Sequence, residues 1–255
     1  MTKIGDQLIS AIKRHGTVFN DIKKRSSSLL ELSAMMLAVQ HYELKQYRVS
    51  LNSKQKKFRP KWHTGGDPRQ SSYWIVSRGN KSFEIHMNTP VWDPVTEDTS
   101  TLVVDVGIIN KDANLKYQPN NSAIDDGKRR RGRRFSGFLN KDLITFIEAK
   151  YLPIYPMLIA HFIGIVHELK PWALGGKAPS GFRKASHFDP TLVSQRNFSA
   201  NAERMVEGMG KRKFSIRIVQ SFDRYVERGN LIKNGAKSIL DHSDDRSQPI
   251  PLWAK

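Results

Sequence analysis

The chain is expected to fold as an α/β protein, with a central mixed β-sheet flanked by helices and helical additions at both ends. Three observations carry this. Helical periodicity dominates the first forty-odd residues. Short apolar runs rich in β-branched and aromatic residues, separated by turn residues, fill the middle. A helix-length apolar segment then follows the last of those runs, as in a sheet covered on both sides. A length of 255 residues suits one large domain or a core with additions. Residues 1–46 are expected to be helices packed on the core, 47–228 the α/β core with a basic loop at 111–141, and 229–255 a C-terminal tail.

Ile4, Leu8, Ile12, Phe19 and Ile22 predict an amphipathic helix over about Ile4 to Lys24, interrupted near Gly16. A second helix follows the serines at 26–28 and runs to about Lys45. Ser28-Leu29-Leu30-Glu31 has capping-box form, with Ser28 as cap and Glu31 reaching back to its backbone N–H. Solvent exposure is the expectation for Glu43.

Tyr47 to Asn52 is a first strand candidate. A basic run interleaved with aromatics follows and includes Lys57, Arg59 and Lys61. Ser72 to Arg78 and Ser82 to Asn88 form a hairpin across Gly79-Asn80, a dipeptide suited to a tight primed turn. The next strand is Leu102 to Ile109 and the one after it Leu143 to Lys150. Between them, Asn110 to Lys141 is too long for a simple hairpin. Its centre is Lys128-Arg129-Arg130-Arg131-Gly132-Arg133-Arg134. Pro156 suits the first turn of a helix to Leu169, in which His161 is expected to be a core residue satisfied by a hydrogen bond. Thr191 to Phe198 is a last strand, Ser199 caps a helix to Gly208, and Phe214 to Glu227 is a helix or a strand followed by a helix.

Chemistry concentrates in the two strands of the middle. Asp105 lies within Leu102-Val103-Val104-Asp105-Val106-Gly107-Ile108-Ile109, and Glu148 and Lys150 within Leu143-Ile144-Thr145-Phe146-Ile147-Glu148-Ala149-Lys150. An unpaired acid in so apolar a segment is costly to bury. Strand side chains alternate between faces, so Glu148 and Lys150 share one. If the two strands are neighbours, Asp105 joins them, and two carboxylates then offer oxygen ligands to a hard cation beside an ammonium. A plainer reading stands next to this one. Glu148 and Lys150 can be a same-face ion pair, and Asp105 can accept backbone hydrogen bonds in a turn leading to Gly107.

An acid on one strand, (Asp/Glu)-x-Lys at the end of the next, and then a helix resembles the PD-(D/E)XK nuclease superfamily of restriction-endonuclease-like folds. The resemblance covers roughly Ser82 to Leu169. Val104 stands where the superfamily's name has proline, a proline that many members also lack. The resemblance implies a restriction-endonuclease-like core and catalysis by Asp105, Glu148 and Lys150. It also implies Mg²⁺ or Mn²⁺ held by Asp105, Glu148 and the Ala149 carbonyl. In many members an acid on the leading helix reaches the metal, which makes Glu31 and Glu43 candidates, although capping and exposure account for them without chemistry.

Composition points to the same class of partner. The chain has 42 basic and 24 acidic side chains, a formal net charge of +18, and 38% hydrophobic residues. Such an imbalance repels itself unless an anionic partner offsets it, and nucleic acid is the leading one. Lys128, Arg129, Arg130, Arg131, Arg133 and Arg134, with Lys57, Arg59 and Lys61, are the expected phosphate contacts; a solvated charge run is the alternative for the loop. Cysteine is absent, which excludes disulfides and thiolate metal sites and fits a reducing compartment. The N-terminus offers no apolar signal-peptide core, and the most apolar stretch, Tyr151 to Val166, is shorter than a bilayer span. The expectation is a cytoplasmic protein with no membrane partner.

Other chemistries find no support. Gly175-Gly176-Lys177 lacks phosphate-loop spacing, His161 and His167 are six apart rather than four, and no Gly-x-Ser-x-Gly occurs. The expected function is therefore metal-dependent endonucleolytic cleavage of nucleic acid, with double-stranded DNA as the first expectation and a homo-oligomer or protein partner left open. The alternative is a non-catalytic basic nucleic-acid-binding or structural assembly protein with a decayed or coincidental motif.

Overall fold

A computed structural model describes residues 26–52, 58–63, 65–95, 100–117, 136–179, 186–212 and 214–220. The expected helix at Ile4 to Lys24 and the tail from 229 onward lie outside these residues. The leading helix, α1, spans Ser26–Leu44. It is followed by strands β1 (Arg48–Asn52), β2 (Tyr73–Arg78), β3 (Lys81–Trp92), β4 (Thr101–Asn110), β5 (Leu115–Tyr117), β6 (Ser136–Leu139) and β7 (Leu143–Lys150). Helix α2 (Pro156–Leu169), strand β8 (Thr191–Ser194), helix α3 (Ala200–Lys211) and strand β9 (Arg217–Val219) complete the described elements.

All nine strands belong to one mixed sheet with the order β1-β2-β3-β4-β7-β8-β9, and the β5–β6 pair attaches to β3 through β6. From β1 to β7 every successive pairing is antiparallel; β7–β8 and β8–β9 are parallel. Parallel neighbours need a crossover, and α2 and α3 supply the two. The sheet buries both faces. Apolar side chains of β2, β3, β4 and β7 (Trp74, Ile85, Met87, Val106, Ile108, Ile147) pack with Met35, Ala38 and Val39 of α1. A second cluster joins Phe146, Leu192 and Ile218 of the sheet to Leu158, Phe162 and Val166 of α2 and Met209 of α3. This is the predicted α/β plan.

Several elements differ from expectation. Helix α1 starts two residues before Ser28, so Ser28 lies inside the helix and the Ser28–Glu31 capping box is not formed. Asn110 to Lys141 is not one loop. Its ends are strands β5 and β6, paired with each other, and β6 runs parallel to β3 at Val91 and Trp92. The indole Nε1 of Trp92 donates to the carbonyls of both Lys116 and Gly137, 3.2 Å each. Pairing of β6 with β3, and of β5 with β6, makes strands of these four-residue and three-residue segments. Thr191 to Phe198 is strand only to Ser194, and β9 follows it. His161 is exposed on α2 rather than part of the core. The hairpin turn holds as expected, with Gly79 at φ +56°. Ser199 caps α3, its hydroxyl accepting from the Ala202 amide at 3.3 Å. Among the described residues, no helix is long and apolar enough to cross a membrane.

One close approach ties β3 to β4. A β-carbon added at Gly107 would meet the Thr89 side chain at 2.8–2.9 Å. Gly107→Ala is therefore expected to destabilise the fold by about 1–3 kcal/mol, as overpacking of a filled interior does. Urea denaturation checks it, and a variant with an unchanged midpoint would show that Thr89 yields freely.

Candidate metal and phosphodiester site

Strands β4 and β7 are neighbours, and their register brings the predicted residues together. The ladder ends with the pairs Gly107–Phe146 and Val106–Ile147, so the next opposed positions are Asp105 and Glu148. There the backbone pairing stops and side chains take over. The Ala149 amide donates to the Asp105 Oδ2 at 2.7 Å instead of to a β4 carbonyl. The Lys150 ammonium donates to the same Asp105 oxygen at 2.8 Å and lies 2.8 Å from Glu148 Oε2. Asp105, Glu148 and Lys150 thus converge on one point.

The donor set suits a hard cation. Glu148 is 2% exposed, and its Oε1 is buried without a hydrogen-bond partner. An unsatisfied buried oxygen costs about 1–3 kcal/mol, which a ligand there would offset. In an antiparallel pair a residue sends its N–H and C=O to the same neighbour. The Ala149 N–H is on the β4 edge, so its carbonyl leaves toward that edge as well, beside Asp105. Among the described residues no group of three or more His, Cys, Asp or Glu side chains is gathered for a metal. The oxygen donors available are therefore two carboxylates and a backbone carbonyl.

The charges are strongly coupled. Burial pushes the Glu148 pKa up, the Asp105 charge adds to this, and Lys150 opposes it; the outcome is about 8. Burial alone would pull the Lys150 ammonium down, and the Glu148 and Asp105 carboxylates outweigh it, so its pKa is raised. Two acids share one ammonium, and the more buried acid is the one that keeps a proton.

An acid of the leading helix feels these charges without joining the donor set. Glu31 is half-buried, and its pKa is raised by burial first and then by the Asp105 charge, with Asn88 and Lys150 pulling the other way. Its carboxylate accepts from Asn88 Nδ2 at 3.0 Å, so its partner lies on β3 rather than at the start of its own helix. Glu43 is partly buried, and burial raises its pKa.

The basic residues divide. Arg59 is exposed. Lys61 is 5% exposed; its ammonium donates to the carbonyls of His63 (2.6 Å) and Asn88 (2.8 Å), which removes it from the surface run. Burial pulls its pKa down to about 8, with Asp67 opposing. Lys57, Lys128, Arg129, Arg130, Arg131, Arg133 and Arg134 lie outside the described residues.

Strand β3 carries polar residues that the sequence reading passed over. Glu84, His86 and Asn88 are all buried. Arg69 Nε and His86 Nε2 share Glu84 Oε2, at 3.0 and 2.9 Å, and the His86 ring stacks on Tyr73 at 4.4 Å. Their signal was present as polar residues at every second position of an otherwise apolar strand.

The Glu148 shift predicts a pH dependence of stability. A folded-state pKa raised from 4.5 to about 8 gives stability that is complete below pH 4.5 and lost as pH rises through 8. Glu148→Gln keeps the shape without the charge. Its stability relative to the parent is expected to grow steadily between pH 5 and 8.5, read from urea midpoints; a constant difference would contradict a buried, proton-retaining Glu148.

Comparison with known proteins adds no relative: no family model, no curated protein and no solved structure matches the chain.

Proposed function

We propose that the chain is a metal-dependent endonuclease that hydrolyses phosphodiester bonds of nucleic acid, with double-stranded DNA as the first substrate to test. One observation carries the reading. Asp105, Glu148 and Lys150 meet where the β4–β7 ladder ends, with an unpartnered Glu148 oxygen among them. This is the convergence that the resemblance to the PD-(D/E)XK superfamily implies, and a helix precedes and follows the motif strands in the implied order.

Mg²⁺ or Mn²⁺ would be held by Asp105, Glu148 and the Ala149 carbonyl. Bound there, such an ion polarises a phosphoryl oxygen and acidifies water. The chain's own groups do the rest. The Ala149 amide and the Lys150 ammonium fix the Asp105 carboxylate by two hydrogen bonds to one oxygen. Lys150 is the cation placed to orient the attacking water or to stabilise charge on phosphorus as the water oxygen bonds to it and the ester oxygen departs. Burial and the Asp105 charge hold the Glu148 carboxyl above the usual carboxylate range, and a bound cation would favour its ionised, ligating form. Glu31 adds negative charge from the leading helix.

Described strands flank the basic segment on both sides in sequence. Its two ends are β5 and β6, and β6 pairs with β3 at Val91, three residues and about 10 Å along the strand from Asn88. Strand β6 is paired with the strand next to β4, and the residues between β5 and β6 in sequence include Arg129, Arg130, Arg131, Arg133 and Arg134. They would hold the phosphate backbone with little sequence information.

A specific observation favours a second reading, a non-catalytic nucleic-acid-binding or assembly protein. Lys150 already pairs with both carboxylates, which a purely structural ion triad would also show. Cleavage separates the two. Supercoiled plasmid is expected to be nicked with Mg²⁺ or Mn²⁺ and not with EDTA. Asp105→Ala, Glu148→Ala and Lys150→Ala should each lose at least about a hundredfold in rate, within what loss of a charge-stabilising group costs, while retaining binding. Glu148→Ala cutting at the parental rate would sink the assignment.

The basic segment yields its own test. Replacing Arg129, Arg130, Arg131, Arg133 and Arg134 with Ser is expected to weaken binding to all sequences alike and to flatten the dependence of affinity on salt. An unchanged slope in fluorescence-anisotropy titrations means that these side chains do not meet phosphate.

A further inference from the structure

Asn88 occupies an unusual place. It lies on β3 between the register pairs Met87–Val106 and Thr89–Val104, so it stands across from Asp105 on the side away from Glu148. Its φ is +44°, left-handed backbone that side chains other than glycine's rarely adopt and that asparagine tolerates better than most. Conformations of this kind persist when surrounding contacts over-determine them. Here they do. The Asn88 carbonyl accepts from the buried Lys61 ammonium at 2.8 Å, and the Asn88 amide donates to the Lys61 carbonyl at 2.8 Å. The same amide group donates to Glu31 Oε2 at 3.0 Å. A reciprocal clasp thus binds residue 61 to residue 88 and leaves the Asn88 amide presenting a proton to the acid of α1.

We infer that Asn88, locked by Lys61, is a positioning residue that holds the Glu31 carboxylate toward the Asp105–Lys150 pair and thereby tunes cation binding at the site. The inference rests on the metal-site reading above. Glu31 and Asp105 carry like charge, and the Asn88 amide supplies the hydrogen bond that holds the Glu31 carboxylate in place. A left-handed residue needed only for shape would require the backbone and not the amide.

Two substitutions tell these roles apart. Asn88→Gly keeps the backbone freely and deletes the amide. Asn88→Asp also tolerates the backbone and replaces the donor with a carboxylate facing Glu31. Mn²⁺ binding to the full chain without nucleic acid, followed by calorimetry, is the readout, with thermal melts alongside.

The parent is expected to bind Mn²⁺ and Glu148→Gln to lose it. Asn88→Gly should bind about tenfold more weakly, as loss of an outer hydrogen bond to a metal site does, and Asn88→Asp more weakly still. Glu31→Gln should weaken binding similarly, and combining it with Asn88→Gly should add little, because both remove the same interaction. Parental affinity in Asn88→Gly, or additive effects of the two substitutions, overturns the positioning role while leaving the metal site standing. No Mn²⁺ binding by the parent overturns both.

Discussion

The end of the β4–β7 ladder is the constraint on which the candidate site depends. Antiparallel pairing holds through Val106 and Ile147 and then gives way to the Asp105 side chain, which takes the Ala149 amide that a β4 carbonyl would otherwise have taken. Because strand side chains alternate, the same step that frees the Ala149 edge also opposes Asp105 to Glu148 and sets Lys150 one pleat beyond. The interlocked Gly107 and Thr89 at the neighbouring β3–β4 step hold that register from the other side. A slip of one residue would turn every one of these groups to the wrong face.

Charge balance makes the cluster more than an ion pair. One ammonium cannot neutralise two carboxylates, and the deeper acid answers by holding its proton to about pH 8. Glu148 then has one oxygen on Lys150 and one without a partner. Either that proton or a cation in its place can offset the burial of this second carboxyl. That physical argument stands beside the motif resemblance in support of the proposed metal chemistry. The net charge of +18 would supply attraction for the proposed polyanionic substrate.

Polar order extends along β3. Glu84, His86 and Asn88 each sit on the sheet with named partners: Arg69 and His86 on the Glu84 carboxylate, Lys61 and Glu31 on Asn88. Lys61 is the clearest case of a residue whose sequence neighbours mislead. Within a run of basic and aromatic residues it looks like a phosphate contact, yet its ammonium is turned inward onto two carbonyls. Burial at that price is sustained because the ammonium donates to both.

By itself the sequence determined the α/β plan, the two motif strands, the Gly79 turn, the α2 helix from Pro156 and the Ser199 cap. Each follows from local pattern: alternation, turn chemistry and caps act over a few residues and need no distant partner. It also determined that Asp105, Glu148 and Lys150 were worth bringing together, because charged groups in apolar strands demand partners. Tertiary structure decided the rest. That Glu31 bonds Asn88 rather than its own helix end, that Lys61 is buried, that His161 is exposed, and that β5 and β6 are strands all depend on groups tens of residues away. Hydrogen bonds of that kind are set by which surfaces meet when the sheet closes. No spacing in the chain encodes them, and only the folded register of β3 against β4 placed Asn88 opposite Asp105.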